Sequence, residues 1–521
     1  MNFKILKWGR VIISLGFLIL ITFFFIDFTN AFSGRVIRSV LYLQFVPSLL
    51  SFLKFAGIGA AGFIFIILLN LFAGRIYCST ICPLGTFQDV IIRIKRKLTR
   101  KKRFSYQRSF NYLRYIILIL SILLFIAGLV FPLLLLDPYS NFGRIATNLF
   151  RPVLLFLNNS ATSMLESMSI YSLYRVEPGM HHWLSLLWSI LILLLILYLS
   201  FKYGRLFCNT LCPVGALLGW LSRFSIFKIY LNRTLCTSCG KCSAVCKAGC
   251  IDVKNKSVDF SRCVGCLNCL SSCPDNGVIF GRPGKSEKAV ITTYDDKRRD
   301  LIRGSLTAMA SLAGMSMLAQ GRGYGRRRSN QPLPVNKEYP VSPPGSISFD
   351  HFNGSCTACH LCVNACPTHV IRPSFLEYGL AGIMQPRMDY HASYCNFDCV
   401  ICSEVCPTGA LRPLKAEEKH VLQLGKVIFI KQNCVVFTDN TDCGACSEHC
   451  PTKAVYMRPF RGNLFLPEVD PDICVGCGAC EYACPTDPKS IYVEGNPIHL
   501  TAEKPIIKKL EQPGQQEDFP F

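Results

Sequence analysis

Cys263-Val264-Gly265-Cys266-Leu267-Asn268-Cys269-Leu270-Ser271-Ser272-Cys273-Pro274 is the run from which the rest of this chain becomes readable. Three cysteines two residues apart bring their thiolates onto one short loop. A fourth, three residues on and followed by proline, ligates a neighbouring site instead. This is the C-x2-C-x2-C-x3-C-P spacing of bacterial loops that hold pairs of [4Fe–4S] clusters. Cys236, Cys239, Cys242 and Cys246 repeat the spacing just upstream, with Lys247 in the proline position. The implied exchange sets Cys273 with the first three upstream cysteines and Cys246 with Cys263, Cys266 and Cys269.

Four further sets lie toward the C-terminus. Cys356, Cys359, Cys362, Cys366 and Cys474, Cys477, Cys480, Cys484 are regular, whereas Cys395, Cys399, Cys402, Cys406 and Cys434, Cys443, Cys446, Cys450 are altered. All four end in Cys-Pro. Paired C-x2-C units also suit tetrahedral zinc, but zinc does not require the full four-cysteine run six times. The expectation is six [4Fe–4S] clusters on these 24 cysteines. Whether the last four sets pair consecutively, or first with fourth and second with third, spacing leaves open. Cys356-Thr357-Ala358-Cys359-His360 fits the C-x-x-C-H pattern of covalent haem. Its cysteines are in register with Cys362 and Cys366, so no haem is expected. Cys250, four residues past Cys246, reads as an ordinary buried thiol.

Outward from the cysteines, composition divides the chain of 521 residues. Of its 29 cysteines, 25 follow residue 220, while most aliphatic residues precede it. Residues 11–28, 55–74, 115–136 and 183–201 are apolar on every face and long enough for a hydrocarbon core about 30 Å thick. Residues 93–108 carry nine Lys/Arg and no acid, whereas 137–182 are balanced. The positive-inside rule makes the first loop cytoplasmic and the second external. The net charge of +23 is thus largely membrane flank, and no nucleic-acid motif accompanies it.

The segment Gly74-Arg75-Ile76-Tyr77-Cys78-Ser79-Thr80-Ile81-Cys82-Pro83-Leu84-Gly85 recurs as Gly204-Arg205-Leu206-Phe207-Cys208-Asn209-Thr210-Leu211-Cys212-Pro213-Val214-Gly215. Each copy follows the second helix of a pair, which makes the unit a duplicated two-helix module. Residues four apart share a helix face, although a following proline disfavours helix at the second cysteine. Cys78, Cys82, Cys208 and Cys212 are candidates for a redox dithiol, a metal site shared by the repeats, or a partner contact. Structural thiols in a reducing compartment are the plainer alternative.

The expected architecture is an α-helical membrane domain plus α+β ferredoxin-like iron–sulfur domains. Residues 1–230 form the four-span membrane domain and 231–280 a two-cluster module. Residues 295–320 carry Lys297-Arg298-Arg299-Asp300-Leu301-Ile302-Arg303 before a weaker apolar run, a twin-arginine-like signal or fifth span. A linker covers 321–349, and 350–510 form a four-cluster domain.

Residues 1–275 resemble the NapH family, membrane components of quinol oxidation in periplasmic nitrate reduction. The shared features are the spans, the two Gly-Arg-x-[Tyr/Phe]-Cys-x3-Cys-Pro segments and the two ferredoxin sets. From about residue 340 the chain resembles NapG, the four-cluster periplasmic partner. That likeness rests on Pro343-Pro344-Gly345, on Cys406-Pro407-Thr408-Gly409-Ala410-Leu411 and on the Cys434-x8-Cys443-x2-Cys446-x3-Cys450-Pro451 set. The Cys395-x3-Cys399-x2-Cys402 spacing departs from it.

The resemblance implies a fused quinol dehydrogenase of the bacterial inner membrane, with residues 231–280 cytoplasmic and 350–510 periplasmic. It would take electrons from the quinone pool (menaquinol or another quinol) and pass them to a periplasmic reductase or c-type cytochrome acceptor. His181 and His182, the only histidines near a span, are weak candidates for accepting a quinol proton. Bis-histidine haem across the bilayer is excluded within the chain, which leaves no evident wire between cytoplasmic and external clusters. Two rivals remain: a copper reductase or maturation factor acting through the Cys-x3-Cys-Pro thiols, and a cytoplasmic polyferredoxin anchored to the membrane.

Overall fold

The computed structural model describes residues 3–29, 31–54, 61–99, 104–107, 110–177, 179, 183–282, 333–335 and 337–504. His181, His182 and the twin-arginine-like segment lie outside these residues, as does the first part of the linker. The chain divides into two compact units. The first comprises Met1–Ser329, Gly345–Arg387 and Ile401–Pro413, and the second Asn330–Pro344, Met388–Val400 and Leu414–Phe521. The stretch 350–510 therefore contributes to both.

In the first unit, helix α1 runs over Phe3–Ile26. It is followed by α2 (Gly34–Leu41), α3 (Phe45–Lys54), α4 (Ala61–Ala73), α5 (Tyr77–Thr80) and α6 (Pro83–Leu98). Then come α7 (Asn111–Ile126), α8 (Phe131–Leu136), α9 (Pro138–Ile145), α10 (Arg151–Ser167), α11 (Trp183–Tyr203), α12 (Leu206–Thr210) and α13 (Pro213–Leu221). Among the described residues two helices are long and apolar enough to cross a membrane, α1 over Ile5–Ile26 and α11. The pair α2 and α3, bent by 98°, makes a third if counted as one span. At 1.5 Å per residue, the 22 residues of the α1 window reach about 33 Å. The expected spans at 55–74 and 115–136 are described in part, residues 55–60 lying outside the described residues. Helices α4 and α7 represent them, and Gly128, at φ +82°, ends the run begun by α7 before α8 starts.

The repeated segments fold alike. Gly74 and Gly204 close α4 and α11 at φ +75° and +76°, a left-handed geometry that costs glycine little. In each copy a short helix, α5 or α12, carries the first cysteine. The second cysteine is extended (Cys82 ψ 116°, Cys212 ψ 114°) and caps the next helix, whose first residue is proline. Proline at N1 fits a helix start, where its missing N–H is not needed.

Beyond α13, strand β1 (Lys228–Leu231) pairs antiparallel with β4 (Val278–Gly281), framing the cysteine module. Inside that frame lie helix α14 (Lys241–Val245) and the small ladder of β2 (Ile251–Asp252) with β3 (Ser257–Val258). Three later helices belong to the same unit, α15 (Phe349–Asn353), α16 (Leu361–Ala365) and α17 (Ile401–Val405).

The second unit has two antiparallel ladders. Strand β5 (Leu422–Phe429) pairs with β8 (Ile491–Thr501), with an irregularity between Gly495 and Leu500. The hairpin of β6 (Val455–Arg461) and β7 (Leu464–Val469) turns at Gly462, φ +56°.

Candidate functional site

The four regular cysteine sets share one backbone device. The residues on both sides of the second cysteine are left-handed: Ser238 and Gly240, Gly265 and Leu267, Ala358 and His360, Gly476 and Gly478. Such alternation turns successive amide groups toward a common concavity that favours negative charge. Four of those eight positions are not obvious from sequence, because Ser238, Leu267, Ala358 and His360 are not glycine. His360, the residue that mimicked a haem motif, instead sits beside Met384 O (3.0 Å) and Ser185 Oγ (3.4 Å). The cradle fits an iron–sulfur cluster.

The structure also brings together the distant fourth cysteines. Cys242 lies in the field of Cys236, Cys239 and Cys273, while Cys269 lies with Cys263, Cys266 and Cys246. Farther along, Cys362 has Cys356, Cys359 and Cys406 around it. Cys446 has Cys443, Cys434 and Cys484, and Cys480 has Cys477, Cys474 and Cys450. These groupings are those of the exchange expected for residues 236–273, and the placing of Cys406 beside Cys356 and of Cys484 beside Cys434 is that of consecutive pairing. Cys395 and Cys399 fall in the second unit and Cys402 and Cys406 in the first. Cys250, read as a bystander, lies 3.5 Å from the Cys246 sulfur. Its hydrogen bond is the main reason the Cys246 thiol is pulled down to about 6.

The Cys-x3-Cys-Pro thiols are all buried and unpaired by disulfides. The two copies face each other across an approximate twofold. Arg75 Nη2 donates to Cys208 O (3.0 Å), and Arg205 Nη1 donates to Cys78 O (2.5 Å). A methyl on Gly85 would strike Cys78 O and Arg205, and one on Gly215 would strike Cys208 O and Arg75. Both guanidinium groups are fully buried. Arg205 ion-pairs with Asp89 (2.8 Å), which also meets Lys247 (3.0 Å) and Arg10 (3.8 Å). Burial raises the Asp89 carboxyl, but the charges of Arg205, Lys247 and Arg10 outweigh it and hold the pKa at about 2. Position 89 corresponds to Gly219 in the second copy, where Arg114 Nη2 fills the space and donates to Ser261 O (3.0 Å). The buried arginines are the part of the site that sequence did not single out. Their only signal was recurrence within the duplicated segment.

Within the first unit, the two cysteine regions sit at opposite ends of α1. Lys7 Nζ reaches Ser271 Oγ (3.3 Å) at one end, and Asn364 Nδ2 donates to Phe25 O (2.5 Å) at the other. Beside that second end lies a cavity of about 210 Å³, lined by Phe24, Phe32, Ile37 and Leu361 together with the carboxylates Asp27 and Glu404.

A model of a 4Fe-4S binding domain matches residues 55–101 and 184–232, the two Cys-x3-Cys-Pro regions. A 4Fe-4S dicluster domain matches 355–410 and 441–487. The putative electron transport protein YccM of Escherichia coli (strain K12) is 29% identical over 226 residues, 43% of this chain and 56% of YccM. The methylamine utilization ferredoxin-type protein MauN of Paracoccus denitrificans is 29% identical over 209 residues, 38% of this chain and 60% of MauN. The ferredoxin-type protein NapF of E. coli (strain K12) is 28% identical over 137 residues, 26% of this chain and 75% of NapF. The chain thus spans a little over half the length of the first two relatives. No solved structure matches it.

Proposed function

The chain is a ferredoxin-type iron–sulfur protein of electron transport, and from that premise we propose that it is a multi-pass quinol dehydrogenase component of a bacterial inner membrane. The 24 cysteines of the six sets are its [4Fe–4S] ligands, and the clusters supply one-electron storage when bound. The residues 236–273 face the cytoplasm and the Cys356 region faces outward, as the basic loop 93–108 and the length of α1 suggest. A periplasmic reductase or c-type cytochrome takes the electrons.

The cavity beside the end of α1 carries the quinol reading. Its volume of about 210 Å³ exceeds the roughly 150 Å³ that admits a benzene ring. Its walls mix apolar side chains with Asp27, Ser33, Asn364 and Glu404, so a ring and its two oxygens would both find partners there. Leu361 and Glu404 adjoin Cys362 and the Cys402–Cys406 turn in sequence, so electrons have a short exit. Asp27 and Glu404 stand ready to accept the two protons that a quinol loses.

Two measurements test this. Menadiol added to the anaerobic, detergent-solubilised protein should bleach its iron–sulfur absorption. Ile37→Trp, which fills the cavity, should slow that bleaching by at least about tenfold, or 1.4 kcal/mol, while dithionite still reduces every cluster. Equal menadiol rates in both proteins would remove the cavity as the quinol site. For sidedness, a protease-accessible tag after Ser329 should be cleaved in intact spheroplasts and protected once Arg298 and Arg299 become lysine. A tag protected in the wild type would favour the cytoplasmic polyferredoxin.

A further inference from the structure

Six ferredoxin-type sets leave Cys78, Cys82, Cys208 and Cys212 without a task, and they leave the two ends of α1 without a connection. The same place in the first unit answers both. The four thiols lie in one another's fields: Cys82 with Cys78 and Cys208, and Cys212 with Cys208, Cys78 and Cys82. Cys212 accepts a backbone hydrogen bond at sulfur from Gly215 N (3.2 Å). Donors of this kind surround cluster thiolates and tune them. Among the described residues Arg75 has no carboxylate partner. It spends its donors on Asn209 Oδ1 (2.8 Å), two carbonyls and the Cys78 sulfur at 3.9 Å. Asp89 is already shared by three other cations. A buried cation without an anion is costly, and a thiolate-ligated group between the repeats would supply the missing negative charge.

The surroundings fix its place in a path. On one side, Arg205 N bonds Lys247 O (2.9 Å), Arg75 Nη1 bonds Ser261 O (3.1 Å) and Asn209 Nδ2 bonds Ala248 O (3.3 Å). These contacts seat the Cys246–Cys266 region directly on the repeated segments. On the other side, buried Tyr77 is near enough to feel both Cys82 and Asp137, and buried Tyr139 both Cys359 and Asp137. Gly143 also brings its backbone against Cys359 O.

We propose that Cys78, Cys82, Cys208 and Cys212 form one shared centre, two thiolates from each repeat, that holds a seventh [4Fe–4S] cluster and relays electrons between the Cys246/Cys263/Cys266/Cys269 set and the Cys356/Cys359/Cys362/Cys406 set. The family match supplies only the cofactor class; convergence of both copies on one centre and its place in a path come from the contacts above. The step is a one-electron exchange. The donor set is oxidised by one electron as the acceptor set is reduced by one, and no covalent bond forms or breaks. Arg75 and Arg205 offset the added negative charge. The inference rests on the iron–sulfur reading but not on quinol as substrate.

The test is a metal count on the full-length protein, purified anaerobically in detergent. Wild type should hold about four irons and four sulfides per chain beyond what the six ferredoxin-type sets require. Cys78→Ser/Cys208→Ser should lose that increment while the EPR signals of the other clusters persist, and Cys250→Ala should keep it. In vesicles reduced from one side by an impermeant reductant, the double variant should stop electrons from reaching the far clusters. A wild-type count that stops at six clusters, or copper in place of the extra iron, would overturn the proposal, whatever the folding of the variant. Menadiol oxidation is scored separately, so failure of the quinol site leaves this result readable.

Discussion

Asp89→Asn removes the single carboxylate that meets Arg205 (2.8 Å), Lys247 (3.0 Å) and Arg10 (3.8 Å) beneath the repeated segments. Deleting one partner of a buried pair costs about 3–5 kcal/mol, because the remaining charge stays buried. The carboxyl itself falls from 3.8 to about 2, which at 1.36 kcal/mol per pH unit is worth about 2.5 kcal/mol. The two routes agree on a loss near 3 kcal/mol, or a fall in unfolding temperature of roughly 3–4 °C for a unit of this size. Thermal unfolding of the solubilised protein, followed by circular dichroism, measures it. The sign with pH is also set. The group's pKa is lower in the fold, so its stabilisation is complete above about pH 4 and is lost as pH falls toward 2. The gap between wild type and Asp89→Asn should therefore close over that interval. Adding Lys247→Met to Asp89→Asn should cost less than the sum of the single changes, as coupled charges do. An Asp89→Asn protein with wild-type unfolding temperature at pH 7 would refute the claim that this carboxylate offsets the buried cations.

Three further outcomes follow from contacts already described. Cys484→Ser should alter the EPR signal that Cys434→Ser also alters and leave the one sensitive to Cys474→Ser; the reverse pattern would break the exchange. Cys250→Ala removes a hydrogen bond to Cys246, worth about 1 kcal/mol. A potentiometric titration should show the cluster on Cys246 shifted negative by about 40 mV at 59 mV per tenfold change, and an unmoved potential would count against the bond. Gly219→Ala places a methyl inside the Arg114 guanidinium and should release Arg114 from Ser261. Limited proteolysis should then cut the 228–281 module faster, and an unchanged rate would show that Arg114 does not anchor it.

The cysteine chemistry was legible in the chain because it is local. Spacing alone places three thiolates on one loop, and the exchange of Cys246 with Cys273 follows from the doublet at 236–273. The extended cap at Cys82 and Cys212 was foreseeable from the prolines that follow. Pairing of the last four sets was not, since loops between them can close in either order at little difference in entropy. The break at Gly128 in the run begun by α7 was not legible, because hydropathy does not register a left-handed residue. The convergence of Arg75 and Arg205 on each other's cysteine carbonyls was hidden for a different reason. It depends on how two distant copies dock, and repetition announces that a module recurs without saying which faces meet.

The exchange of partners at positions 89 and 219 has a meaning for descent. A two-helix module that once paired with an identical copy would have placed an aspartate on both sides of the axis, or on neither. Here the first copy keeps the acid and the second keeps a glycine, whose vacancy admits Arg114 from the first helix of the same copy. Splitting the gene and pairing either half with itself would give two acids or two gaps around the same thiols. Fusion of the copies is on this account a one-way commitment, written into one carboxylate and one missing side chain.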